Sequence, residues 1–216
     1  MLNGSFRAVL FDFGGVITTS PFDAFRRFEL ERGLPAGFLQ HINRTNADDN
    51  AWARFERGEL SSEAFDEAFA EESRASGHEV RGLEVVALIY GNVRPRMIRA
   101  VDRCRKHFIT ACLTNNFAHR RDDETSPGAA KTHDWKNALD LFDVVIESSK
   151  VGVRKPEPQF FELACQKLSI DPRQAVFLDD LGANLKPARL MGMHTIKVTN
   201  PDVALDELAS VLGIDL

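Results

Sequence analysis

Residues 9–16 read Val-Leu-Phe-Asp-Phe-Gly-Gly-Val, an apolar run that carries one carboxylate, Asp12, followed by two glycines. The unbroken apolar run predicts a strand buried on both faces, as in a parallel sheet. Because a lone carboxylate is costly to desolvate, Asp12 is expected to meet a cation, a cluster of donors or a reacting group at the carboxyl end of that strand. The alternative from this stretch alone is that Asp12 caps a turn made by Gly14 and Gly15.

The composition restricts the kinds of partner and location. The 216 residues, 44% hydrophobic and 27% charged, suffice for one large domain or for a core with a smaller insertion. A net charge of −5 without an opposing basic cluster argues against a nucleic acid partner. The apolar runs are too short for a membrane span and the first residues do not resemble a signal peptide, so no membrane partner and a cytoplasmic location are expected. Three scattered cysteines indicate neither disulfides nor a zinc site.

The segment 18–92 has a different pattern from the rest of the chain. It is rich in aromatic residues at helical spacing and contains no clear alternating strand. Helices are expected over 21–32 and 38–45. A further helical region over 52–69 is expected to break at Gly58 and to restart at Ser61 or Ser62. We therefore predict a separate helical domain over residues 18–92, inserted into a core domain formed by residues 1–17 and 93–216.

Beyond this segment, apolar strand patterns alternate with helical ones. Further strands are expected over 108–113, 143–148, 175–178 and 194–198. Helices are expected over 95–107, 135–142, 159–168, 184–191 and 201–212, and the charged stretch 119–134 is expected to be a loop. This alternation predicts an α/β fold with a doubly wound parallel sheet.

Polar side chains follow four of the predicted strands at their carboxyl ends. These side chains belong to Asp12 after the first strand, Thr114 and Asn115 after the second, Lys155 after the third, and Asp179 and Asp180 after the fourth. Because the carboxyl ends of parallel strands share one edge of the sheet, these groups are expected to converge there.

The converging residue types are suited to phosphate chemistry. Three neighbouring carboxylates repel one another unless a hard cation holds them, and Mg²⁺ prefers one or two carboxylates together with a substrate phosphate and water. Lys155 is a compact positive charge suited to phosphate, and the Thr114 hydroxyl and Asn115 amide can donate to other phosphate oxygens. A free oxygen of Asp12 could then attack phosphorus and form an aspartyl-phosphate.

Four short motifs resemble those of the haloacid dehalogenase superfamily of aspartate-nucleophile hydrolases, over nearly the whole chain. They are D-x-x-G-V at 12–16, T-N at 114–115, K-P at 155–156 and D-D at 179–180. The stretches RKPEPQ at 154–159 and FLDDLGANLKPAR at 177–189 look like the N-terminal phosphatase domain of soluble epoxide hydrolases. FDFGGV at 11–16 and WARF at 52–55 resemble the equivalent domain of acyl-CoA dehydrogenase fusion proteins. The resemblance implies a Rossmann-like core with a helical cap.

The resemblance also implies roles for the residues that match the motifs. Asp12 would be the nucleophile, Lys155 would neutralise the nucleophile and the phosphate, and Thr114 and Asn115 would bind phosphate. The implied substrate is a small phosphorylated molecule.

The implied cofactor is Mg²⁺. Its ligands would be Asp12, the backbone carbonyl of Gly14, and Asp180 in preference to Asp179. Asp179 would assist Asp180 or hold Lys155, and Asn184 would support the acidic pair.

The sequence departs from the resembling phosphatases at Gly14. Most of them carry an aspartate two residues after the nucleophile, which protonates the leaving oxygen and later activates water, and such acid–base help is typically worth ~10²–10⁴ in rate. Three outcomes follow. The substrate could have a leaving group that needs little protonation, such as a sugar 1-phosphate, an acyl phosphate or an aryl phosphate. A cap residue or water could substitute, or the fold could bind its ligand with little catalysis.

Two other functions stay open beside a Mg²⁺-dependent phosphatase. Haloacid dehalogenases also lack the second aspartate and need no metal, but the Asp179–Asp180 pair would place negative charge beside their anionic substrate. The second open function is that of a non-catalytic module that binds a phosphorylated metabolite or a protein. The sequence indicates no oligomeric state.

A few further side chains are secondary candidates for the site. His119 is the histidine expected to lie within reach of it. Arg154 could touch phosphate, and Arg44, Arg54 or Arg57 could reach the pocket from the helical segment, although each arginine is equally consistent with a solvated surface.

Overall fold

The computed structural model describes residues 6–117 and 129–216, with the backbone alone described over 129–132. Its single sheet has five strands in the order β3-β2-β1-β4-β5. Their bounds are β1 (Ala8–Phe11), β2 (Ile109–Thr114), β3 (Val144–Glu147), β4 (Ala175–Asp179) and β5 (His194–Lys197). All four pairings are parallel, which confirms the predicted α/β class and doubly wound parallel sheet.

Residues 18–92 fold into five helices. These are α1 (Phe22–Glu31), α2 (Phe38–Arg44), α3 (Ala51–Glu56), α4 (Ser62–Ala75) and α5 (Gly82–Val86). Asn50 caps α3 by accepting from Ala53 N at 2.8 Å, and Ser61 caps α4 by accepting from Ala64 N at 3.2 Å. The helices enclose an aromatic cluster of their own, and Phe117, which follows β2, packs against it.

The remaining helices cover the two faces of the sheet. They are α6 (Pro95–Cys104), α7 (Ala129–Leu139), α8 (Ser148–Val151), α9 (Pro158–Leu168), α10 (Gly182–Leu190) and α11 (Pro201–Leu212). In β1, Val9 and Phe11 lie in the core beneath α6 and α11, and Ala8 and Leu10 lie in the core beneath α9 and α10. The continuous apolar run of β1 is therefore explained by burial on both faces.

One predicted loop is in part a helix. The stretch 119–134 was expected to be a loop because of its charge, but α7 begins at Ala129, ten residues before its end at Leu139. Two alanines at its start are strong helix formers, and they outweigh the polar character of the residues that follow. His119 lies outside the described residues.

The chain enters and leaves the helical segment at one place. Thr18 and Val93 form an isolated antiparallel bridge. On either side of it, Thr19 N donates to Asn92 O at 2.9 Å and Arg94 N donates to Ile17 O at 2.8 Å. This double crossing lies a few residues beyond the carboxyl end of β1, so the helical segment is held next to that edge of the sheet. Within the described ranges, no helix is long and apolar enough to cross a membrane.

Candidate active site

Strand register brings the acidic residues together. Phe11 of β1 is paired with Leu178 of β4, and Asp12 N donates to Leu178 O at 2.8 Å. Asp12, just after β1, and Asp179, the last residue of β4, therefore lie side by side. This is the convergence that the strand-end pattern predicts.

Lys155 lies between these two carboxylates. Its side chain is 1% exposed, and its Nζ lies 2.7 Å from Asp12 Oδ1 and 2.8 Å from Asp179 Oδ2. Burial alone would lower the pKa of Lys155, but the charges of Asp12 and Asp179 hold that pKa above its ordinary value. The lysine is therefore a fixed positive charge beside the carboxylate expected to react.

Asp12 is held through one of its two oxygens. Its Oδ1 accepts from Phe13 N at 2.6 Å as well as from Lys155 Nζ. Among the described residues, no hydrogen bond uses Oδ2, which leaves that oxygen available to attack an electrophile. The pKa of Asp12 is raised to about 8, chiefly by burial and also by the charges of Asp179 and Asp180, against the lowering effect of Lys155.

Asp179 is the most fully satisfied of the three acids. Besides the bond from Lys155, it accepts from Leu181 N at 2.8 Å and from Asn184 Nδ2 at 3.1 Å on Oδ1 and 3.0 Å on Oδ2. In these bonds Asn184 contacts Asp179 and not Asp180. Asp179 has the contacts expected of a residue that holds Lys155.

Asp180 lies closer to solvent and faces the glycine turn. Its pKa is raised to about 6, chiefly by burial and also by the charge of Asp179, against the lowering effect of Lys155. A Cβ placed on Gly15 would lie 2.2 Å from Asp180 Oδ2, so this carboxylate packs directly against the turn that follows Asp12. Gly15 also has a φ of 80°, in the left-handed region that favours glycine.

The donor set fits a divalent cation. Oxygens of Asp12, Asp179 and Asp180 all lie within 4.8 Å of one another, and Lys155 is the ammonium paired with two of them. Burial raises the pKa of both Asp12 and Asp180, so a further positive charge would stabilise their ionised forms. Because Asp179 is already saturated, Asp12 and Asp180 are the side chains best able to hold Mg²⁺, which prefers one or two carboxylates.

The predicted phosphate-binding residues differ in their surroundings. Thr114 ends β2, and among the described residues its hydroxyl makes only a long 3.3 Å bond to Asn115 O. The Asn115 side chain, in contrast, is occupied: its Nδ2 donates to Lys155 O at 2.9 Å and to Glu56 Oε2 at 3.2 Å, and its Oδ1 accepts from Lys155 N at 2.9 Å. Both hydrogens of the Asn115 amide are therefore used on protein acceptors, and phosphate binding by Asn115 stays a prediction.

Gly14 has no structural need to be glycine. Its φ of −71° and ψ of 126° are accessible to every residue, and a Cβ built there meets nothing within 4 Å. The two adjacent glycines thus differ: Gly15 is required by backbone conformation and close packing, whereas Gly14 is not. The predicted role of the Gly14 carbonyl as a metal ligand stays a prediction.

Two of the four candidate arginines, Arg154 and Arg57, bind acids at the contact between the helical segment and the loop after α8. A third, Arg54, lies 3.7 Å from Glu59 within the helical segment. Arg154 Nε donates to Glu56 Oε2 at 2.6 Å. Arg57 lies 3.4 Å from Glu157 and also binds Glu59. Glu56 was missed at the level of sequence, where a glutamate within an aromatic helix is the only visible signal.

The family model for haloacid dehalogenase-like hydrolases matches residues 6–192. With the parallel sheet and the acidic cluster at its carboxyl edge, this match shows that the chain belongs to the haloacid dehalogenase-like hydrolase family.

Several curated proteins are similar to the chain over nearly its whole length. Mouse acyl-CoA dehydrogenase family member 10 is 36% identical over 98% of this chain and 20% of its own length. Bifunctional epoxide hydrolase 2 from Sus scrofa is 33% identical over 97% of this chain and 39% of its own length. The chain thus spans less than half of these two relatives. The sesquiterpene phosphatase astK of Aspergillus oryzae is 23% identical over 97% of this chain and 98% of its own length.

Solved structures share the fold. A haloacid dehalogenase family enzyme from Bacteroides thetaiotaomicron, in complex with magnesium and inorganic phosphate, superposes with a TM-score of 0.58 at 20% identity, covering 89% of this chain and 93% of that one.

The contrast between the two glycines gives a test of the site's packing. Gly15→Ala should lower the free energy of unfolding by about 2 kcal/mol, because alanine at a left-handed φ costs roughly 1–2 kcal/mol and its Cβ must also displace Asp180. Gly14→Ala is the matched control and should unfold within about 0.5 kcal/mol of the wild type. Urea unfolding of the three proteins measures both. Equal destabilisation by the two variants would contradict the described turn.

Proposed function

We propose that this protein is a Mg²⁺-dependent phosphatase that hydrolyses a small phosphorylated metabolite through an aspartyl-phosphate on Asp12. The observation that carries the proposal is the pairing of Lys155 with Asp12 and Asp179, beside the less saturated Asp180. This arrangement places a nucleophilic oxygen, a fixed cation and carboxylate oxygens that are free to bind a metal at one edge of the sheet.

The first half-reaction would be attack by Asp12 Oδ2 on phosphorus. The new Asp12–phosphorus bond forms as the bond to the leaving oxygen breaks, and Lys155 offsets negative charge on the nucleophile and the phosphate. Thr114 would donate its hydroxyl hydrogen to a phosphate oxygen. Bound Mg²⁺, held by Asp12, Asp180 and the Gly14 carbonyl, would supply further charge stabilisation for the phosphate.

The second half-reaction would be attack of water on the aspartyl-phosphate, which releases inorganic phosphate and restores Asp12. Position 14 supplies no acid for the leaving oxygen and no base for this water. The leaving oxygen therefore departs as an anion that solvent protonates afterwards, and solvent takes up the proton of the attacking water. We therefore propose that the favoured substrates have acidic leaving groups.

The relatives support phosphatase chemistry over the alternatives. The chain aligns with nearly the whole of a protein named as a phosphatase. The fold itself does not separate phosphatase from dehalogenase chemistry, because it is shared by an enzyme solved with magnesium and phosphate and by solved dehalogenases. A dehalogenase function is disfavoured by Asp180, whose carboxylate would face an anionic haloacid without a compensating charge of its own.

The helical segment 18–92 is proposed as a cap domain, and residues 1–17 and 93–216 as the core domain. Their separate apolar clusters support this division. The crossing at Thr18 and Asn92 is the proposed hinge, and closure of the cap would exclude water during phosphoryl transfer. The proposed location is the cytoplasm, in keeping with three free buried cysteines.

Release of phosphate from a panel of phosphate esters tests the reaction class. With Mg²⁺, the wild type is expected to release phosphate, and EDTA or Asp12→Asn should abolish turnover because each removes part of the nucleophilic centre. Release of halide from 2-chloropropionate that persists in EDTA would instead identify a dehalogenase. Binding of phosphate esters without turnover of either substrate would identify a binding module.

The missing acid at position 14 predicts a steep dependence on the leaving group. Across a series of aryl and alkyl phosphates, kcat/KM should rise as the pKa of the leaving alcohol falls, since its oxygen departs unprotonated. Single-turnover kinetics should confirm that the chemical step is the one measured. A flat series under those conditions would show that another residue acts as the acid.

Installing the acid is a direct test, since the backbone at position 14 accepts a side chain. Gly14→Asp should raise kcat/KM for alkyl phosphates by about 10- to 100-fold and for aryl phosphates much less, at or below the lower end of the range typical of general acid catalysis. Gly14→Asn is the matched control, with the same shape and no acid, and should give no such gain. An equal gain from both variants would mean that the effect is not acid catalysis.

A further inference from the structure

A carboxylate from the helical segment belongs to the network that holds Lys155. Glu56 ends α3 and is 7% exposed. Its Oε2 accepts from Asn115 Nδ2 at 3.2 Å and from Arg154 Nε at 2.6 Å, and its Oε1 accepts from Trp52 Nε1 at 2.9 Å. Both oxygens are therefore occupied, by donors from its own helix, from the end of β2 and from the loop after α8.

Asn115 connects Glu56 to the backbone of Lys155. The Asn115 amide bonds the N–H and the C=O of Lys155 at once, each at 2.9 Å, and its remaining hydrogen goes to Glu56. The bond to Glu56 fixes the orientation of this amide. A flipped amide would turn its oxygen toward the carboxylate and its NH₂ toward the Lys155 N–H, which loses all three bonds.

We propose that Glu56 is a positioning residue for Lys155 and acts through the side chain of Asn115. The carboxylate fixes the amide, the amide fixes the backbone of Lys155, and the ammonium of Lys155 lies between Asp12 and Asp179. Because Glu56 belongs to the segment 18–92, the network is complete only when α3 lies against the loop. Docking of the helical segment therefore sets the position of the cation beside the nucleophile.

A second ion pair at the same contact provides a control. Arg57 follows Glu56 on α3, and its Nη1 lies 3.4 Å from Oε1 of Glu157, two residues after Lys155. The side chain of Glu157 makes no capping bond to α9. Glu157→Gln therefore removes one charge pair between the same two elements and leaves every bond of the Glu56–Asn115–Lys155 network in place.

Hydrogen exchange of the Lys155 amide, followed by NMR on the full chain, tests the network directly. Glu56→Ala should speed exchange of this amide by about tenfold, since a hydrogen bond of ordinary strength restrains it. Exchange at Leu181 N, which is bonded to Asp179 at the same edge of the sheet, should not change. In Glu157→Gln both amides should exchange as in the wild type. Unchanged exchange at Lys155 in Glu56→Ala would overturn the proposal.

Glu56→Gln serves as the second variant if Glu56→Ala does not fold. It keeps the shape of the side chain but has one acceptor oxygen for three donors. Exchange at Lys155 should then be about two- to fivefold faster, and wild-type exchange in this variant would overturn the proposal in the same way.

Kinetics with p-nitrophenyl phosphate and Mg²⁺ form the second arm, which rests on the proposed phosphatase function. Glu56→Ala and Asn115→Ala should each lower kcat about tenfold per folded molecule, since a misplacement of ~1 Å can cost up to ~10²-fold. The double variant should be no slower than Asn115→Ala, because both residues act on Lys155 in series. Effects that multiply would overturn the proposal, and Glu157→Gln should stay within twofold of the wild type.

The two arms separate this inference from the proposed function. If the wild type hydrolyses no phosphate ester, the phosphatase assignment fails, while the exchange rates at Lys155 still decide the role of Glu56 without any substrate.

Discussion

A buried ammonium between two carboxylates is the interaction on which the site depends. A charge as enclosed as that of Lys155 is tolerated inside a protein only with anionic partners at hydrogen-bond distance, and Asp12 and Asp179 provide them. These partners come from adjacent central strands, whose register places them side by side. The cation itself comes from a loop, so a second set of bonds, through Asn115 and Glu56, is needed to hold it.

The same constraint explains why the acids are not equivalent. Asp179 uses both oxygens on Lys155, Leu181 and Asn184, and is a structural anion. Asp12 uses one oxygen for anchoring and keeps the other, while Asp180 faces the glycine turn with a raised pKa. The cluster has more negative than positive charge, which is unfavourable for folding alone. Excess charge of this kind is typical of sites that bind a cation or carry out chemistry.

The sequence was sufficient for the fold and for most of the site because those depend on local patterns. The apolar run before Asp12, the strand ends and the serine that caps α4 are readable from neighbouring residues. The hydrogen bonds of the Asn115 side-chain amide could not be predicted in this way, because the position of an amide in the sequence does not reveal its partners in the fold. Glu56 was invisible for the same reason, because two of its three partners are 59 and 98 residues away. The prediction of a loop over 119–134 is wrong from Ala129 onward, because the helix propensity of the alanines at the start of α7 outweighs the charge of the stretch.

The double crossing at Thr18 and Val93 has a consequence for how such chains diversify. The helical segment begins and ends at neighbouring points, so its length and sequence can change while the sheet, its register and the acidic edge stay the same. A module attached in this way can be exchanged as a unit. The tie through Glu56 limits that freedom, because any replacement segment must again present an acceptor to Asn115 when it docks. The helical segment can thus be exchanged as a unit, provided that the new segment keeps one acceptor in the place of the Glu56 carboxylate.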